Sequence, residues 1–118
     1  MMNFRQYTRM TKCVIPNNIL LTSTDFNYAF YPMRSLKIVQ IPNSVTNMAS
    51  TYSGCWNLTG SLVCGNNVTN MRSTYYMCNN LTGSPVCGNK VTDMSQTYYN
   101  CINLTGSPVC GNNVIDMY

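Results

Sequence analysis

The chain has no histidine and no glutamate, and its three acids are Asp25, Asp93 and Asp116. General acid–base chemistry draws chiefly on His, Glu, Asp and Lys, and a cysteine nucleophile draws on a histidine partner. This inventory supplies neither, so a non-enzymatic role is expected. Charged side chains make up 8% of the 118 residues, against roughly 25% in an ordinary soluble domain. No apolar run approaches the ~18 residues of a membrane span, and the first twenty residues lack the apolar stretch of a signal peptide. No C-x-x-C occurs among the seven cysteines, so a zinc site is not expected, and no cofactor is predicted.

What charge there is sits at one end. Arg5, Arg9, Lys12, Arg34 and Lys37 outweigh Asp25 within the first forty residues, giving the whole net charge of +4. From Ile41 onward Arg72 and Lys90 balance Asp93 and Asp116. Five scattered cations make no continuous stripe, so nucleic acid is not the expected partner.

The dominant feature is a repeat of 23 residues. Val45, Val68, Val91 and Val114 keep this step, as do Met48, Met71, Met94 and Met117. Tyr52, Tyr75 and Tyr98, then Cys55, Cys78 and Cys101, then Leu58, Leu81 and Leu104, and finally Cys64, Cys87 and Cys110 follow in register. Two degenerate copies lie upstream, marked by Ile15-Pro16 and Ile41-Pro42. A period in this range suits one coil per repeat, with like residues forming columns. The expected organisation is an N-terminal cap over residues 1–13, then about four to five repeats over 14–118, the last incomplete.

Each coil must turn the chain through a circuit. A short strand is expected at Ser61-Leu62-Val63-Cys64 and its copies, and a turn at Gly65, Gly88 and Gly111. A helical or 3-10 turn is expected over residues 72–78, ended by Asn57, Asn80 and Asn103 in a left-handed conformation.

The upstream copy Ala29-Phe30-Tyr31-Pro32-Met33-Arg34-Ser35-Leu36-Lys37-Ile38-Val39-Gln40-Ile41-Pro42-Asn43-Ser44-Val45 resembles the BspA-like leucine-rich repeat. That family reads A-F-x-x-C-x-x-L-x-x-I-x-I-P-x-x-V at the same period. The later copies put Cys-Gly where Ile-Pro stands and Thr-Tyr where Ala-Phe stands. The resemblance implies an α/β repeat: a short leucine-rich-repeat-like solenoid with a parallel sheet on one face and short helical or 3-10 turns on the other. It also implies a protein- or glycan-binding module of a bacterial surface or phage protein. The alternative is a structural spacer or assembly element of a virion or larger surface protein. The compartment is suggested by this resemblance only.

Strand alternation points one column outward: Gln40, then Val63, Val86 and Val109, flanked by Ser61, Ser84 and Ser107. This uncharged strip is one candidate contact surface. The other is the outward pair Tyr76 and Tyr99, which offers area at low entropic cost. The cysteine columns read as buried free thiols acting as small hydrophobes, with Cys13 outside them. Asn57, Asn67, Asn80 and Asn103 lie in glycosylation sequons, yet asparagine occurs seventeen times. Columns such as Asn66, Asn89 and Asn112 read more simply as turn residues bonding from coil to coil. The sequence stops partway through a repeat, so end-to-end self-association through an uncapped C-terminal coil is a further expectation.

Overall fold

Four residues mark the pitch of the molecule. Asp25 bridges to Asn47, Asn47 to Asn70, and Asn70 to Asp93, each in the parallel sense. The computed structural model describes residues 1–60, 65–83, 86–106 and 111–115. Each side chain of this column accepts a hydrogen bond at 2.9 Å on Oδ1 from the amide two residues on, at Asn27, Ala49, Arg72 and Ser95. Asn and Asp are suited to this local turn because their short side chains reach their own backbone. Just before them, the amides of Thr46, Thr69 and Thr92 donate to the carbonyls of Thr24, Thr46 and Thr69, each at 2.9 Å. Successive copies are thus joined in register by main-chain bonds.

The columns follow from that register. Val45, Val68 and Val91 are buried, as are Leu36, Leu58 and Leu81, and Met48, Met71 and Met94. An aromatic ladder runs beside them. Phe4, Phe30, Tyr52, Tyr75 and Tyr98 stack with ring centroids 4.8, 5.6, 5.7 and 5.6 Å apart in turn. Phe4 lies in the N-terminal segment, so the column of rings begins there. Its offset differs from the later step, as the pairing of Cys13 with Val39 also shows.

The sheet-and-helix architecture expected from the sequence is not what forms. Among the described residues there is no helix. The regular strands are β1, Lys12–Val14, and β2, Ile38–Gln40, which pair in parallel. The molecule measures 34 × 30 × 18 Å with a radius of gyration of 12.9 Å. A globule of this length has a radius of about 13.5 Å, so this is a compact body and not a helix-bearing solenoid.

The physical reason lies in where the amides point. An α-helix uses each amide within the segment, four residues back. Over residues 71–78 the amides of Met71, Ser73, Tyr75 and Met77 instead leave the coil, donating to Asp93, Ser95, Thr97 and Tyr99 at 2.7–3.0 Å. The alternate amides of Thr74, Tyr76 and Cys78 close tight turns three residues back. The third residue of the main turns takes a positive φ: Ser50, Ser73 and Gln96 in one column, Gly54, Met77 and Asn100 in the next. A positive φ at this place is the mark of a type II turn, and it breaks any helix. The side chains of Asn57, Asn80 and Asn103 do something other than adopt the expected left-handed closure. Asn57 and Asn80 donate from Nδ2 to the carbonyls of Arg34 and Trp56 in the preceding coil, at 2.6 and 2.8 Å, and Asn103 does the same to Asn79.

Threonine and cysteine finish the satisfaction of the interior. Thr51, Thr74 and Thr97 are buried, and each Oγ1 lies 2.8 Å from a carbonyl of the coil before it, at Phe26, Met48 and Met71. Cys55, Cys78 and Cys101 direct their thiols at the carbonyls of Phe30, Tyr52 and Tyr75, 3.0–3.2 Å away. Each of these carbonyls also accepts the amide three residues on, so the Thr and Cys groups use its second lone pair and tie one coil to the next as well as fill the interior.

The glycines before each Val are required by close approach. A Cβ on Gly88 would lie 3.1 Å from the carbonyl oxygen of Gly65 and 3.2 Å from Cα of Asn66, both main-chain atoms of the adjoining coil. Gly65 and Gly111 face the same crowding. Gly88→Ala is therefore expected to destabilise the protein by about 1–3 kcal/mol, read as a drop in the denaturant midpoint with no change in slope.

Candidate functional site

Two surfaces stand out from the described residues. The first is the outer aromatic column. Tyr31, Ser53, Tyr76 and Tyr99 occupy equivalent places, and the rings of Tyr76 and Tyr99 stack with centroids 4.8 Å apart at an interplanar angle of 9°. Tyr99 is half exposed at 49%, Tyr76 is partly buried, and Ser53 is buried. The positioning comes from the turn geometry. Tyr76 closes a turn onto Ser73 and Tyr99 closes one onto Gln96, so the two residues hold the same place in successive coils. Val86 is exposed at 42%. The rest of the expected strip, namely Ser61, Val63, Ser84, Ser107 and Val109, lies outside the described residues.

The second surface is basic and was not singled out by sequence periodicity. A cleft of about 310 Å³ is lined by Arg5, Thr8, Pro32, Met33 and Arg34. An adjoining open groove of about 380 Å³ shares Thr8 and adds Gln6, Tyr7, Arg9 and Met10. The N-terminal segment is held against the next coil by Ser35, whose Oγ lies 2.7 Å from the carbonyl of Thr8 and 2.9 Å from that of Met10. Arg5 Nε donates to Asn3 Oδ1 at 3.1 Å. The Arg34 guanidinium carbon lies 3.8 Å from the ring centroid of Trp56, a cation–π arrangement that fixes its direction. The only sequence-level signal for this cleft was the clustering of cations before residue 40.

The cysteines are placed for structure. Among the described residues Cys55, Cys78 and Cys101 are buried free thiols, Cys87 is buried with its sulfur 3.7 Å from that of Met94, and Cys13 is half-buried on β1. Burial pushes the Cys55 thiol up to about 12 and Cys101 up to about 11, and raises Cys78 further still, its neighbours Cys55 and Cys101 adding to the effect. A thiol held protonated in this way is a poor nucleophile. Cys64 and Cys110 lie outside the described residues. Among the described residues no three Cys, Asp or His side chains gather as a metal site. The asparagine amides that bridge main chain near the glycines belong to Asn67 and Asn113, which donate to Asn43 and Asn89 at 2.8 Å, one position along from the expected Asn66 column. No helix of the described residues is long and apolar enough to cross a membrane.

The geometry defines a class: a compact stack of 23-residue coils held by turn-to-turn hydrogen bonds, with a stacked tyrosine pair on its rim and a basic cleft at its N-terminal end. Compared with models of known families, with curated proteins and with solved structures, the chain finds no match.

Proposed function

We propose that the chain is a non-enzymatic binding module that presents its rim to a protein or glycan, as the resemblance to bacterial surface and phage repeat proteins suggests. The observation that carries this reading is the Tyr76–Tyr99 stack. Two aromatic rings held parallel at 4.8 Å, one of them half exposed, form a rigid platform that loses little entropy on binding. The residue inventory points the same way, since it is poor in groups that transfer protons. The test is an array of glycans and surface proteins probed with the full chain and with a Tyr76→Ser/Tyr99→Ser double variant. The expected result is a captured ligand whose affinity falls at least tenfold in the variant, with the melting temperature little changed. Capture that ignores both substitutions would remove the rim from consideration.

A second reading, a structural spacer, is favoured by the uniformity of the stack. Ring spacings of 5.6, 5.7 and 5.6 Å repeat with little change from copy to copy, whereas a binding surface gains from variety. A silent array together with self-association in sedimentation would favour the spacer.

A further inference from the structure

We propose that the cleft between Arg5 and Arg34 binds the carboxylate or sulfate of an acidic oligosaccharide, a proposal that rests on the binding-module reading and gives it a ligand class. Arg5 and Arg34, from segments far apart in sequence, both line the cleft. Each guanidinium presents a planar fork of donors matched to a carboxylate or sulfate. The two described acids, Asp25 and Asp93, line neither this cleft nor its neighbour, and their Oδ1 atoms serve the turn amides of Asn27 and Ser95. Both arginines are steered. Arg5 is tethered by Asn3, and Arg34 is held with its guanidinium carbon 3.8 Å from the Trp56 ring centroid while Asn57 Nδ2 donates to the Arg34 carbonyl at 2.6 Å. Less freedom is therefore lost when an anion arrives.

The remaining wall suits a sugar. Pro32 and the buried Met33 give an apolar side against which the C–H face of a pyranose can lie, and Thr8 adds a hydroxyl. A volume of about 310 Å³ falls at the small end of ligand sites. The open groove beyond Thr8 carries Arg9 and gives a second charged sugar a place to run. A nucleic acid would need a longer basic track, and from Ile41 onward the chain is neutral.

The test is calorimetric titration of the full chain with a sulfated, uronate-containing disaccharide, with its neutral counterpart and with inorganic sulfate. Arg5→Gln and Arg34→Gln are compared with Arg72→Gln, which removes the same charge from a coil outside the cleft, and thermal melts confirm that each variant folds. The expected result is binding of the acidic disaccharide at least tenfold tighter than of the neutral one or of free sulfate. Arg5→Gln and Arg34→Gln should each weaken it at least tenfold, and Arg72→Gln by less than twofold. Equal binding of the acidic and neutral sugars, sulfate matching the disaccharide, equal losses in all three variants, or no binding at all would overturn the assignment. If the disaccharide fails while the array yields a ligand lost in the tyrosine double variant, the cleft falls and the module reading stands. Silence in both removes both.

Discussion

Replacing Tyr75 by alanine is expected to destabilise the protein by about 3–5 kcal/mol. The ring is 1% exposed and lies between Tyr52 and Tyr98 at 5.7 and 5.6 Å. Its removal leaves a cavity that the neighbours are poorly placed to fill, because their backbones are fixed by hydrogen bonds to two coils. The Tyr75 amide itself donates to Thr97 and its carbonyl accepts from Cys78, so the coil is held open around the void. The comparison is Tyr99→Ala. That ring is half exposed and stacks on one neighbour only among the described residues, so its loss should cost under about 1 kcal/mol. Chemical denaturation of both variants checks the difference. Equal costs would show that the inner and outer columns are not as placed.

The second large effect is a loss of stability in alkali. The buried thiols are raised from an ordinary value near 9, with Cys55 reaching about 12 and Cys78 going beyond it. In the folded state they keep their protons, whereas in the unfolded chain they ionise from about pH 9 upward. The unfolded state then binds fewer protons than the folded one, so stability falls as pH rises. The contribution is fully present below pH 9 and is lost progressively toward pH 12. Each deeply buried thiol adds a slope of up to about 1.4 kcal/mol per pH unit in this window. Cys101, closer to the end of its column and raised less, adds a smaller share. Denaturation at a series of pH values between 8 and 11 measures the slope, and Cys78→Ala should reduce it by the share of one thiol. A slope unaltered by that substitution would mean that Cys78 is not shielded. The direction matters for reactivity as well: near neutral pH these three thiols should resist alkylation until the protein unfolds.

The columns of this structure were legible in the sequence, and the backbone between them was not. Val68, Met71, Thr74, Cys78 and Leu81 recur at steps of three and four, a spacing that reads as one face of a helix. A chain of tight turns, each closed three residues back, buries the same positions. The two differ in whether the amides of Ser73, Tyr75 and Met77 stay within the segment or cross to Ser95, Thr97 and Tyr99. Side-chain pattern carries no record of that choice. The positive φ at Ser50, Ser73 and Gln96 was equally hidden, since these positions hold no glycine that would announce it. The glycines that do recur, Gly65, Gly88 and Gly111, each stand at the start of a turn, as their recurrence suggests, and they also let the coils approach, which the sequence does not announce.

The candidate sites divide along the same line. Tyr76 and Tyr99 could be assigned to one outward column because the repeat is regular there. The Arg5–Arg34 cleft forms where the period breaks, between an N-terminal segment and a coil offset from it by more than 23 residues, as Cys13 opposite Val39 shows. Periodicity cannot place residues across such a break. The buried threonines at 51, 74 and 97 were within reach, since they keep the 23-residue step. Their buried hydroxyls run against composition, since threonine is more often found outside a core.

Nuclear Overhauser contacts in solution give the most direct check on the stacking itself. If copies lie over one another one coil apart, the ring protons of Tyr75 must show cross-peaks to both Tyr52 and Tyr98, and the methyls of Val68 to those of Val45 and Val91. Cross-peaks to neither ring, or contacts confined to residues near in sequence, would contradict the stacked arrangement.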